Sequence, residues 1–307
     1  MENIVSRWQR ELRGTFANNS LTIPQWQVDL EKGDDGGYFG PGSAVWAVHG
    51  SMTTTVAGIQ ALLIQALHPG ALAGVHDHSN YRTDPLGRLA GTIRWIFTVS
   101  YGDTATAQKA SAKVLRIHEH IHGTYTTNNG DERPYTANNP ELLRWVHLAF
   151  TQAFLGTHQA YGEPIPDGAD AYVGDWAVAG ALMRVLQPPV TVQELQSQLA
   201  GFTPELRYDH RVKEIVTFIK NPPLPRSQQG GYKILFAAAV ASLPEEYREL
   251  LRLNPPRLGQ LALPMTVPTK AVLGVVGWSL GPISPSESAA RRRRSRLGMG
   301  EIPKLPR

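Results

Sequence analysis

Apolar residues recur at helical spacing along most of the chain, and strand-like alternation is almost absent. Residues 53–67 are apolar on nearly every face, as a helix at the centre of a fold would be. Residues 36–76 contain no Asp, Glu, Lys or Arg. Gln60, Gln65 and the break at His68-Pro69-Gly70 nevertheless mark a core helix of a soluble fold rather than a membrane span. Asp84-Pro85 predicts a helix start, a capping acid followed by proline in the first turn, and a helix over 86–100. Asp103 or Thr104 opens an Ala-rich helix expected to run to His122, with Gly123 as its stop. Asn139-Pro140-Glu141 opens a further helix to about Tyr161, and others are expected near 170–186, 191–200, 204–219 and 229–252. The pattern predicts an all-α architecture. It comprises an N-terminal segment 1–38, one helical domain 39–253, a Pro-rich extension 254–283 that opens at Asn254-Pro255-Pro256, and a basic tail 284–307.

Composition narrows the chemistry. The 307 residues include no cysteine, which excludes disulfides, iron–sulfur clusters, thiol nucleophiles and thiolate-ligated metals. The formal net charge is +4, but the tail alone carries Arg291, Arg292, Arg293, Arg294, Arg296, Lys304 and Arg307 against Glu287 and Glu301. Without that tail the chain is nearly neutral, so no nucleic-acid footprint is expected on the folded body. The arginine run reads as a solvated, mostly disordered tail, with weak contact to an anionic membrane or to a nucleic acid as the minor alternative. The first residues, MENIVSRWQRELRG, have no apolar core of a secretory leader, so the expected compartment is the cytoplasm. The segment 271–280 is too short to span a bilayer.

Nine of the ten histidines lie between His49 and His158. Imidazole is the commonest protein ligand for zinc and haem iron, so the question is which of these are ligands. His118-Glu119-His120-Ile121-His122 spells H-E-x-x-H, and Glu141 follows where one class of zinc protease has its third ligand. Helical geometry argues against that reading. At about 100° per residue from Val114, an apolar stripe of Val114, Ile117 and Ile121 centres near 350°. His118 falls at its edge near 40°, while Glu119 points largely away. On this basis His118 is either a hydrogen-bonded core histidine or a ligand. Arg88 and Thr92, one turn apart, share a face with Trp95, Ile96 and Val99. A permanent cation on an apolar stripe calls for an anion, a cofactor carboxylate, a helix C-terminus or Asp84. His147, on the face of Leu143, Phe150 and Phe154, is an inward histidine or a pocket wall.

These residues also resemble a known family. Phe39-Gly40-Pro41-Gly42-Ser43, Trp46-Ala47-Val48-His49, Gln65-Ala66-Leu67-His68-Pro69, Gly74-Val75, His78-Ser79, Asp84-Pro85-Leu86-Gly87-Arg88-Leu89 with Thr92, Ile117-His118 to Gly123, Tyr135, Asn139-Pro140-Glu141-Leu142-Leu143 and Trp145-Val146-His147 occur in the order found in the MpaB-type and rubber-oxygenase (latex clearing protein) family. The resemblance is strong over about 39–161 and looser to about 253. It implies a single globin-like helical domain that holds haem b, with His118 as the iron ligand. It further implies Arg88 and Thr92 on the distal side as catalytic and cofactor-binding residues, with Trp95 and His147 lining the cofactor. Two positions depart from the rubber-cleaving branch. Gly91 stands where a lysine can close the sixth coordination position, and Leu115 replaces an arginine three residues before the iron ligand. The branch's catalytic glutamate has no clear counterpart; Asp77 is the nearest guess.

The resulting expectation is a cytoplasmic haem b oxygenase acting on a hydrophobic, unsaturated or aromatic small molecule with dioxygen as partner and room for an electron donor. Ile59, Leu62, Leu63, Trp95, Phe150 and Phe154 would wall its pocket. The alternatives are a haem-binding sensor or carrier of the same fold and, further off, a zinc hydrolase on His118-Glu119-x-x-His122. The apolar segment 261–280 suits packing against a second copy of the chain or a membrane surface.

Overall fold

In a computed structural model, residues 23–79, 85–281 and 283–299 are described, with the side chains of 85–89 left aside. The chain is all-α apart from two short hairpins. Its helices are α1 (Gln25–Asp29), α2 (Ala44–His49), α3 (Thr54–Gln65), α4 (Pro69–His78), α5 (Pro85–Tyr101), α6 (Thr104–His118), α7 (Pro140–Tyr161), α8 (Gly168–Leu182), α9 (Val192–Phe202), α10 (His210–Lys220), α11 (Arg226–Ala241), α12 (Glu245–Leu250), α13 (Thr266–Leu280) and α14 (Pro285–Arg296).

The predicted punctuation sets the helix starts. Asp103 accepts from Thr106 N at the head of α6, and Asn139 accepts from Glu141 N ahead of Pro140 at the head of α7. The apolar helix α3 buries Val56, Ala57, Ile59, Gln60, Leu63 and Ile64 and packs most extensively against α7. Gln60 at the centre of that core donates through Nε2 to Ala239 O of α11 (3.1 Å) and to Ser242 Oγ (3.1 Å), while its Oε1 is buried without a hydrogen bond. Trp145 of α7 donates to Gln65 O at the C-terminal end of α3 (3.2 Å). A buried aromatic layer of Phe150, Phe154, Trp176 and Tyr172 closes around His49. Ser100 Oγ donates to Ile96 O, so it accepts from His49 Nδ1 (2.7 Å), and His49 Nε2 is left to accept from Tyr172 OH (3.1 Å). Burial pushes the His49 imidazole down to about 3, so it is a neutral core group.

Three expectations are corrected. The Ala-rich helix ends at His118, not His122, because His122–Thr126 forms β1 and pairs antiparallel with β2, Glu132–Thr136. Thr124, Tyr125 and Thr126 pair with Pro134, Arg133 and Glu132 across a turn whose Gly130 sits at φ 88°. The expected helix over 229–252 is two, α11 and α12, broken at Pro244. The arginine run is not a solvated tail over the described residues. Ser284 accepts from Glu287 N to cap α14, and Arg293 is fully buried. It donates to the carbonyls of Leu30, Asp35 (3.0 Å), Gly36 (3.5 Å) and Tyr101 (2.9 Å). Arg291 pairs with Glu287 (2.7 Å), Arg292 with Glu31 (2.7 Å), and Arg294 donates to Gly36 O (2.9 Å). Lys304 and Arg307 lie outside the described residues.

No single described helix is long and apolar enough to cross a membrane. Only α3 and α4 taken together pass by length and composition, and they are bent by 107°.

Candidate functional site

Helices α5 and α6 form an antiparallel pair joined by the short turn at Gly102-Asp103. Its register is fixed by Trp95 Nε1 donating to Ser111 Oγ (3.0 Å). Counting seven residues outward from that bond along both helices, about 10 Å at 1.5 Å per residue, brings Arg88 level with His118. Thr92 lies one turn in from Arg88, opposite Val114. The fold thus brings the Arg88–Thr92 turn and His118 to one end of one helix pair, and puts Trp95 deeper along the same pair. Thr92 is exposed, and a Cβ added at Gly91 would meet no atom within 4 Å, so among the described residues nothing packs on this turn of α5 at Gly91.

The phase of α6 differs from the sequence reading. Its buried residues are Ala107, Ser111 and Leu115, whereas Ile117 is 52% exposed. On the same wheel that stripe centres near 60°, and His118, near 40°, lies within it rather than at its edge. The cause is the early helix end. Ile121 leaves the helix and packs on the Tyr135–Leu142 cluster, so it no longer draws the stripe toward itself.

Most of the clustered histidines are structurally explained. His49 is satisfied within the aromatic core. His68 caps α4, accepting from Gly70 N (3.1 Å) and Ala71 N (3.4 Å), and meets Glu205 (3.3 Å). His78 donates to His122 O (2.9 Å), and His158 contacts Thr53 Oγ1 (3.2 Å) and Glu163 O (2.9 Å). Two histidines stand apart. Among the described residues, only His118, at Nδ1, and His147, at Nε2, have a buried ring nitrogen without a hydrogen bond. Burial pushes both imidazoles down, His147 to about 4, so each carries a free lone pair at neutral pH.

Their surroundings differ. His147 is enclosed: its ring lies against Gly180 of α8, where an added Cβ would come within 3.0 Å of Nε2. His118 is half-buried at the open end of α6. Asn138 lies beside it, near enough to favour the charged imidazole against the larger effect of burial. The Asn138 amide is pinned by donating to Leu115 O (3.0 Å), and its Oδ1 is itself buried without a hydrogen bond. Sequence reasoning missed Asn138; its only signal was its place in the loop ahead of the Asn139-Pro140 cap.

The zinc arrangement does not assemble. His118 ends a helix and His122 begins a strand, so they are not neighbours on one helical face. Glu141 pairs with Arg144 (2.6 Å). Among the described residues no group of three His, Asp or Glu side chains could hold a metal ion. Asp77 is engaged by His76 (2.8 Å) and Arg211 (3.5 Å). The expected pocket wall is also revised: Ile59, Leu63, Phe150 and Phe154 are buried core, with Phe150 stacked on Phe154 at 3.9 Å, and Leu62 points outward.

The family model described as ER-bound oxygenase mpaB/B′/rubber oxygenase, catalytic domain, matches residues 46–278. The chain belongs to this family. No curated protein and no solved structure matches it. As a member of the mpaB/rubber oxygenase family the chain is an oxygenase-domain enzyme, and the matched span contains α5, α6, His118 and His147.

The residues fit a haem better than a bare metal. One neutral imidazole cannot hold an ion alone, but it suffices where a porphyrin supplies the other equatorial donors. Residues 85–118 carry Arg88, Arg94, Lys109, Lys113 and Arg116 against a single acid, Asp103, which caps α6. Of these, Lys109, Lys113 and Arg116 fall near 200–260° on the α6 wheel, on the solvent side away from His118, and Arg94 lies over Trp26.

Proposed function

We propose that the chain is a haem b-dependent oxygenase in which His118 holds the iron and the substrate is a hydrophobic, unsaturated or aromatic small molecule. The observation that carries the reading is the orphaned, half-buried His118 at the open end of the α5–α6 pair, level with Arg88, in a chain of an oxygenase family. Haem, when bound, supplies the iron at which dioxygen is activated.

The chain's own residues do the rest. Burial keeps His118 neutral, so its ring offers a lone pair at physiological pH. Asn138, beside the ring, would hold the imidazole in place while a ring nitrogen is given to the metal. Arg88, always charged, and Thr92, a hydroxyl donor one turn away, would be the residues to orient dioxygen and to stabilise negative charge developing on it. Gly91 adds no side chain to its turn of α5 and would leave room there for water or substrate.

Oxygen uptake by the haem-loaded protein, screened against unsaturated and aromatic hydrocarbons, tests the reading. Substrate-stimulated uptake that falls at least about 100-fold in Arg88→Leu supports it. Stable ligand binding without turnover of any substrate contradicts it and favours a haem sensor or carrier.

A further inference from the structure

Helix α13 turns its apolar side outward. The residues it buries against α11 and α7 are Thr269, Leu273, Val276 and Ser279, two of them hydroxylic. Its solvent side carries Val267 (77% exposed), Ala271, Gly274, Val275 (50%) and Trp278 (64%), spaced as one helical stripe. The hairpin just before it, β3 (Arg257–Leu258) and β4 (Leu261–Ala262), adds Leu258 (74%) and Leu261 (76%) at its tip. Single exposed apolar residues are ordinary, but two successive elements presenting this many is the signature of a contact surface.

Charge selects the occupant. Residues 250–286 contain Arg252, Arg257 and Lys270 and no acid. All three bases are exposed. A second copy of the chain docked on this face about a two-fold axis would set like charges against each other. An anionic lipid surface would instead pair with Arg257 and Lys270 while taking up the leucines and valines, and Trp278 is the residue type that settles at the headgroup boundary. The α14 arginines, by contrast, are turned to carbonyls and carboxylates of their own chain.

We infer that the β3–β4 hairpin and the outer stripe of α13 form a monotopic docking surface for anionic membrane lipid. The helix lies in the plane of the interface and does not span it. The surface places the chain where hydrophobic substrates partition, and it stands independently of the haem assignment.

The test is flotation of the full chain with vesicles of phosphatidylcholine and phosphatidylserine at 70:30, beside vesicles of phosphatidylcholine alone. The protein floats with the anionic vesicles and far less with the neutral ones. Arg257→Gln with Lys270→Gln lowers the partition coefficient about 30-fold, roughly fivefold for each charge. Leu258→Ser, Leu261→Ser and Trp278→Gln together lower it at least about tenfold, with the helical circular dichroism and melting temperature of the parent. These positions are exposed, so the variants keep the fold. The inference is overturned by a wild-type protein that stays with the supernatant at millimolar lipid, or by a triple variant that floats as well as the parent. It is also overturned by a wild-type dimer in solution that the triple variant converts to monomer, which would make the face a self-interface.

Discussion

Replacing Arg293 by methionine keeps the length of the side chain and removes the guanidinium. The loss strands the carbonyls of Leu30, Asp35 and Tyr101, which in the native chain accept from one buried fork, while Gly36 O, the fourth acceptor, keeps its bond from Arg294 (2.9 Å). A buried acceptor left without a donor costs about 1–3 kcal/mol. The Gly36 contact, at 3.5 Å, is weak, so about three carbonyls count in full. Against this, Arg293 is itself expensive to bury, as its lowered pKa records, and removing the charge returns part of the cost. Asp103 and Asp35, whose charges favour the guanidinium, lose a counter-charge and add to the loss. The net is a destabilisation of about 2–4 kcal/mol, which for a domain of this size is roughly 5–10 °C in melting temperature. The neighbouring Arg292→Met removes only an exposed pair with Glu31 and should cost less than about 1 kcal/mol. Thermal unfolding followed by circular dichroism compares the two. If Arg293→Met melts within 1 °C of Arg292→Met, the view of α14 as an integral, clamped helix is wrong.

Acid should destabilise the chain through its neutral buried histidines. His49 and His147 have folded-state values near 3 and 4, below about 6.5 for the unfolded chain, so their stabilisation is full above pH 6.5 and is lost as pH falls toward those values. The unfolding free energy should drop by about 1.4 kcal/mol per pH unit per histidine between pH 6 and 5, and His49→Gln should flatten the slope by about one proton; an unchanged slope would refute this. Gly180→Ala brings a methyl within 3.0 Å of His147 and 2.8 Å of Pro188 Cβ, and urea unfolding should show a loss of about 1–3 kcal/mol. Asn138→Leu should leave the circular dichroism spectrum unchanged but lower the frequency of the iron–histidine stretch in resonance Raman of the haem-loaded protein; a stretch identical to wild type would show that Asn138 does not position His118.

Much of the helical frame was legible because caps and prolines act locally. Asp103 and the Asn139-Pro140 pair started their helices where expected. The end of α6 was not legible, because nothing in His118 to His122 disfavours a helix; the hairpin that stops it draws its stability from Tyr125 and Tyr135 packing across strands and onto α4. The same error displaced the α6 stripe and put His118 at an edge. Composition misread the arginine run, since a cluster of cations is normally solvated and only the fold supplies the carbonyl cage that buries Arg293. The histidine cluster was visible at once, but separating His118 and His147 from the satisfied histidines needed their partners. Asn138 is legible only in three dimensions.

The central claim, that His118 is the iron ligand of a haem oxygenase, is tested most directly by the optical absorption spectrum of the protein purified with haem supplied, beside His118→Ala and His122→Ala. The account predicts an intense Soret band in the wild type, kept in His122→Ala and lost or shifted in His118→Ala. A wild type without a Soret band, or a His118→Ala spectrum identical to the wild type, would contradict it.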